Sequence, residues 1–179
     1  NRFGTSSRNV FEIRNIEEFK TYIKSIKYPL VQEKLVSFSN HRFKEKEEFT
    51  CSFFTLKNKK ILGPFIARRI LKFGTSWVID VNNSNKKVLK LIAAISKKIN
   101  NLGSFNVQLI NTKRGPIPFE FNSRFSGTTS IRSKFGFNEP EFFIKDNFLN
   151  YKFDSKKIKI KKGNAFRYIE ETILWKKKQ

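Results

Sequence analysis

Polar and apolar positions along this chain alternate at two distinct periods, which divide it into helices and strands. Ile16, Phe19, Tyr22, Ile23 and Ile26 recur at the spacing of one helix face. Asn15 stands before them as an N-cap, and Glu17 and Glu18 occupy the first turn, where the helix dipole favours acid. A second helical pattern over 84–102 places Val88, Leu91, Ile92, Ile95 and Ile99 on one face and lysines on the other, and stops at Gly103. Shorter helices are predicted over 130–135 and 139–149. Strand-like segments are predicted over 10–13, 29–35, 48–56, 61–70, 76–81, 105–111, 117–122, 156–162 and 165–174. The turns Lys57-Asn58-Lys59-Lys60 and Thr112-Lys113-Arg114-Gly115-Pro116 join neighbouring strands as hairpins, and 37–47 is a polar loop. Hairpins interrupted by helices imply an α+β fold with a mostly antiparallel sheet.

Composition supplies the core these elements need. Hydrophobic residues make up 39% of the 179 and 21 are Phe, too much apolar surface for a disordered chain. The length suits one domain or a small pair. No apolar run approaches the roughly 18 residues that a membrane-crossing helix requires. Cys51, the single cysteine, has no disulfide partner, and no signal peptide opens the chain, so a reducing, cytoplasmic setting is expected.

Charge changes the picture less than its size suggests. Lys and Arg number 37 against 15 Asp and Glu, a net +22, which first points to nucleic acid or an acidic membrane surface. The basic residues are instead spread as Lys59-Lys60, Lys86-Lys87, Lys97-Lys98, Lys156-Lys157, Lys161-Lys162 and Lys176 to Lys178, beside an over-use of Asn, Ile and Phe. Compositional bias therefore accounts for them better than a dedicated polyanion site. The chain opens on Asn1 and contains no Met, and so reads as a piece of a longer protein.

Candidate chemistry concentrates in 105–127, FNVQLINTKRGPIPFEFNSRFSG. Glu120 and Asn122 are two apart on one strand and emerge on one face, with Arg124 just past the strand end. Gln108, on the preceding strand of the hairpin, can face them. Oxygen-bearing side chains beside an arginine suit Mg²⁺ carrying polyphosphate, because the metal is hard and phosphates and water complete its shell. Spacing alone favours a plainer reading, polar residues on the solvated face of a half-exposed sheet.

The segment FEFNSRFSG tips that balance, because it resembles the signature of the ATP-grasp ligases, in which Glu, any residue, Asn, Pro and Arg end a metal-binding strand. It is particularly similar to the branch containing the carbamoyl phosphate synthetase large subunit, whose first metal ligand is a glutamine, the place of Gln108. The resemblance covers about 2–149 in the family's order. It implies an ATP-grasp fold: residues 1–35 as the C-terminal part of the lid subdomain, and 36–179 as the core subdomain with the metal site. The family's N-terminal domain would lie outside the chain. Implied partners are ATP, a carboxylate and an amine or ammonia, with two Mg²⁺ ions, or Mn²⁺ in their place; neither a membrane nor nucleic acid is expected.

The resemblance also implies roles for single residues. Gly4, Thr5, Ser6, Ser7 and Arg8 match the lid's phosphate-covering loop, usually richer in glycine. Gln32, with the backbone at Glu33 and Leu35, matches the hinge that meets adenine. Glu48 matches the acid that binds the ribose hydroxyls, with Glu47 as the less favoured neighbour. Arg69 and Arg124 match basic residues near the phosphates, and Gln108, Glu120 and Asn122 match the metal ligands. Ser123 departs from the family's proline, the loop between Leu35 and Glu47 is longer than its hinge, and its phosphate-binding lysine would fall just before Asn1. A basic nucleic-acid-binding module and a non-catalytic ATP-grasp scaffold are the alternatives. His41 has no Cys or His at ligand spacing and reads as a surface histidine. Cys51, within the Phe49, Cys51, Phe53 alternation, reads as core.

Overall fold

The computed structural model describes residues 10–38, 47–72, 74–82 and 85–168. Gly4, Thr5, Ser6, Ser7, Arg8 and His41 lie outside them. A six-stranded antiparallel sheet, in the order β5-β4-β1-β2-β3-β6, forms the centre. Its strands are β1 (Glu48–Thr55), β2 (Ile61–Lys72), β3 (Thr75–Val81), β4 (Gly103–Thr112), β5 (Gly115–Asn122) and β6 (Gly163–Phe166). Among the described residues four α-helices accompany it: α1 (Ile16–Ser25), α2 (Lys86–Lys98), α3 (Thr129–Lys134) and α4 (Glu139–Phe148).

The two faces of the sheet are covered by different helices. On one, Phe49, Cys51, Phe53, Ile66, Phe105, Val107 and Leu109 pack against Val88 and Ile92 of α2. On the other, Phe54, Phe65, Ala67, Ile79 and Val81 pack against Phe137 and Phe142 of the α3–α4 segment. Each fully buried side chain of this size contributes roughly 1.5–3 kcal/mol, so the two clusters hold the sheet as the middle of three layers. Cys51 is core as expected, and burial pushes its thiol up to about 12. Asn85 caps α2 by accepting from the Val88 N–H, and Asn138 does the same for α4 from Glu141.

The hairpins form at the predicted places, whereas several terminal expectations do not hold. α2 ends at Lys98, with Ile99 already extended, because the chain must turn at Asn100 and Asn101 to start β4 at Gly103. Residues 10–13 and 29–35 form no strand: among the described residues neither segment has a backbone to pair with, and Phe11 stacks on Tyr22 instead, with centroids 4.3 Å apart. Residues 156–162 also form no strand. A 3₁₀ turn spans Ser155–Lys157, Ile158 and Ile160 fill the second cluster, and the Lys161 N–H donates to Phe135 O at 2.9 Å. The final strand is only Gly163–Phe166, and 169–174 of its predicted range fall outside the described residues. Among the described residues no helix is long and apolar enough to cross a membrane.

Gly136 is the backbone joint that lets 158–160 reach the core. Its φ is +92°, and a Cβ there would collide with the carbonyl oxygen of Lys159. Gly136→Ala is expected to cost at least about 2 kcal/mol, since a left-handed conformation and a backbone clash add. Chemical denaturation reads this directly; a midpoint equal to wild type would contradict it.

Candidate functional site

The same sheet face that carries α3 and α4 turns polar towards β5. Glu48, Thr50 and Ser52 share the β1 face of Phe54, because side chains alternate along a strand. Pairing then lines up two cross-strand rows: Thr50, Gln108 and Glu120 in one, Ser52, Asn106 and Asn122 in the next. Glu48 pairs with Arg69 on β2. Residues distant in the chain thereby come to one surface by register alone.

Arg69 ties this surface together. Its Nε and Nη2 donate to Glu48 Oε1 at 2.9 and 2.5 Å, and Nη2 also donates to Gln108 Oε1 at 2.5 Å. The side chains of Arg69 and Glu48 are only 9% and 13% exposed, so the pair is shielded from solvent and its geometry is held. Asn122 Nδ2 donates to Glu120 Oε1 at 2.7 Å, leaving the Asn122 carbonyl oxygen out of that bond. Gln108, Glu120 and Asn122 are half-buried, and among the described residues Glu120 makes no ion pair.

The structure therefore brings Glu48, Arg69, Gln108, Glu120 and Asn122 together. Arg124 is exposed beyond β5, and its Nη1 donates to Phe125 O at 3.0 Å rather than to the cluster. Glu47 is engaged elsewhere: its Oε2 accepts from Asn111 Nδ2 at 2.5 Å. Phe38 N donates to Asn111 O at 2.7 Å and Glu47 N to Ser37 Oγ at 2.6 Å, so the segment carrying Gln32, Glu33 and Leu35 joins the sheet at Asn111. Gln32 and Glu33 are exposed, Glu33 paired with Arg114 at 2.6 Å, and Leu35 is half-buried.

Sequence reasoning missed a buried polar network beside the cluster. Arg132 of α3 and Glu139 of α4 are both fully buried, with Nη1 3.2 Å from Oε2. Arg132 Nη2 donates to Thr50 Oγ1 at 2.9 Å and Asn106 Oδ1 at 2.5 Å. Glu139 Oε1 accepts from Ser52 Oγ at 2.5 Å and Ser104 Oγ at 2.6 Å. Burial pulls the Arg132 guanidinium below its ordinary value, and the Glu139 carboxylate opposes that pull. The signal lay in β1 and β4: Thr50, Ser52, Ser104 and Asn106 form a polar stripe at strand period within otherwise apolar segments.

No protein-family model matches this chain, and no curated protein matches it. Its fold is the α+β arrangement of the ATP-grasp enzymes, shared over part of the chain. Carboxyaminoimidazole ribonucleotide synthase from Aspergillus clavatus, complexed with ATP, is similar at a TM-score of 0.52 and 12% identity, over 66% of this chain and 33% of that one. N5-carboxyaminoimidazole synthase from the same organism, with ADP and aminoimidazole ribonucleotide, gives 0.51 at 12% identity, over 64% and 32%. The biotin carboxylase domain of 2-oxoglutarate carboxylase from Hydrogenobacter thermophilus, with MgADP, ADP and bicarbonate, gives 0.50 at 12%, over 65% and 28%. The chain spans about a third of the length of these solved structures.

Glu48→Gln keeps the shape of the Glu48 side chain and leaves Arg69 a largely buried, unpaired cation. A loss of about 3 kcal/mol of unfolding free energy is expected, because removing one partner of a buried pair costs several times what the intact pair contributes. Urea titration checks this, and a loss below about 0.5 kcal/mol would show the pair to be loosely held.

Proposed function

We propose that this chain carries the metal and ribose half of the active site of an ATP-dependent ligase, which joins a carboxylate to an amine or ammonia through an acyl phosphate. One observation carries the reading: on the ATP-grasp sheet, Glu48, Arg69, Gln108, Glu120 and Asn122 meet on one surface. Residues 1–35 belong in this reading to the end of the lid and 36–179 to the core. The glutamine at 108 favours the branch resembling the carbamoyl phosphate synthetase large subunit.

The donor set suits Mg²⁺. Gln108, Glu120 and Asn122 offer oxygen ligands, and among the described residues no group of three or more His, Cys, Asp or Glu that could hold a metal ion is present, so the reading relies on one carboxylate with two amides. A single carboxylate with two amides leaves room for phosphate oxygens and water around two Mg²⁺, or Mn²⁺ in their place. When bound, the metal supplies electrostatic neutralisation of the phosphate oxygens.

The remaining residues bind and orient. Glu48, held by Arg69, accepts from the ribose hydroxyls; Gln32 and the backbone at Glu33 and Leu35 meet adenine. Gly4, Thr5, Ser6, Ser7 and Arg8, which lie outside the described residues, are assigned in this reading to phosphate contacts. Arg69 keeps the Glu48 carboxylate and the Gln108 oxygen at fixed places, and Arg124 reaches the transferring phosphoryl group from beyond β5. Positioning and electrostatics suffice for phosphoryl transfer, so no general base is required of the chain.

Glu120→Ala or Asn122→Ala in the full-length protein is expected to lower ATP turnover by about a hundredfold or more, because a metal ligand supports several kcal/mol of charge stabilisation. The unfolding midpoint should stay within a few degrees of wild type, since both side chains are half-buried at the sheet edge. ADP release assayed with and without Mg²⁺ measures this, and wild-type turnover in either variant would overturn the reading. The lysines on the outer side of α2, Lys86, Lys87, Lys90, Lys97 and Lys98, favour polyanion binding as a second reading. Salt-sensitive nucleic-acid affinity that survives Glu120→Ala would support it.

A further inference from the structure

A charged pair in an apolar core costs several kcal/mol of desolvation, and apolar side chains of similar volume would pack there at least as well. Arg132 and Glu139 are both 0% exposed, and the Arg132 guanidinium carbon lies 5.7 Å from the Phe65 ring centroid. Core filling alone does not explain such a pair. Their contacts do: Arg132 grips Thr50 and Asn106, and Glu139 grips Ser52 and Ser104, so the pair clamps β1 to β4 at alternate positions on one face.

Three of the four clamped positions, Thr50, Ser52 and Asn106, are members of the two rows that end in the candidate ligands, and the fourth, Ser104, lies one pair further along, opposite Phe54. Thr50 pairs with Gln108, which pairs with Glu120; Ser52 pairs with Asn106, which pairs with Asn122. The clamp also reaches the chain just past β5: Thr129 Oγ1 lies 3.4 Å from Glu139 Oε2, and Ser104 Oγ lies 3.4 Å from Arg124 O. We propose that Arg132 and Glu139 are positioning residues for the metal site, setting the separation of Gln108, Glu120 and Asn122 through the β1–β4 ladder. The inference rests on the reading of those three residues as metal ligands. Residues that orient metal ligands from behind typically change metal affinity by about 10–100-fold when lost.

Calorimetric titration of the full-length protein with Mn·ADP, alongside thermal unfolding, tests the proposal. The double variant Arg132→Met with Glu139→Leu is expected to stay folded and to bind Mn·ADP roughly tenfold or more weakly. Thr50→Val, nearly isosteric, removes one grip of the clamp and is expected to weaken binding about threefold or more; it decides the matter if the double variant does not fold. Glu120→Ala should abolish binding. A purely structural pair predicts a shifted unfolding midpoint with wild-type affinity, and that result in Thr50→Val or in a folded double variant overturns the positioning role while leaving the metal reading intact. A full-length wild-type protein without affinity for Mn·ADP overturns the metal reading and the positioning role with it.

Discussion

A polar side chain on a strand buried on both faces costs stability unless it finds a partner, and on β1, such a strand, Thr50 and Ser52 find partners whereas Thr55 Oγ1, among the described residues, does not. From Phe49 to Thr55 each residue is buried, yet Thr50 and Ser52 lie among them. An unsatisfied buried hydroxyl costs about 1–3 kcal/mol, so each needs a partner. Arg132, Asn106, Glu139 and the carbonyl of Phe105 supply these partners. The two helices α3 and α4 are thus attached to the sheet by polar as well as apolar contacts, and β4 is locked in register with β1. The placement of the candidate site follows from that lock.

The site occupies the boundary between a sealed and an open part of one sheet face. Towards β3 the face is covered by Phe137 and Phe142 and is apolar. Towards β5 cover gives way, and Gln108, Glu120 and Asn122 stand half-buried. Arg69 and Glu48 sit between these regions, shielded enough to hold a fixed geometry. Such a boundary suits electrostatic work, because the dry side holds the side chains preorganised while the wet side leaves them accessible. The charge of +22 contributes little to this arrangement, since the cationic side chains of the site are few and specifically paired.

Much of this was legible from local patterns. The alternation in β1, the helical face of α2 with its Asn85 cap, and the hairpin linking β4 to β5 were each carried by spacing within a dozen residues. The facing of Gln108 and Glu120 across that hairpin followed from the same logic, and their register pairing matches it. Strands over 10–13 and 29–35 were misread because alternation gives a segment the face of a strand but not a neighbour to pair with. Residues 156–162 kept their alternation and used it to insert Ile158 and Ile160 into the core without a ladder. Arg132 and Glu139 were missed because their partners lie up to 87 residues away, and only the fold brings them together. The roles proposed for Gln32, Glu33, Leu35 and Arg124 rest on the family resemblance alone, as none of them touches the cluster.

The claim that this surface holds a metal-bound nucleotide is tested most directly by paramagnetic broadening of backbone amide resonances when MgADP is replaced by MnADP. Broadening is expected to be strongest at Gln108, Glu120 and Asn122, to extend to Glu48 and Arg69, and to fade towards α2. Nucleotide binding without broadening at these positions, or broadening centred on the lysine face of α2, would contradict it.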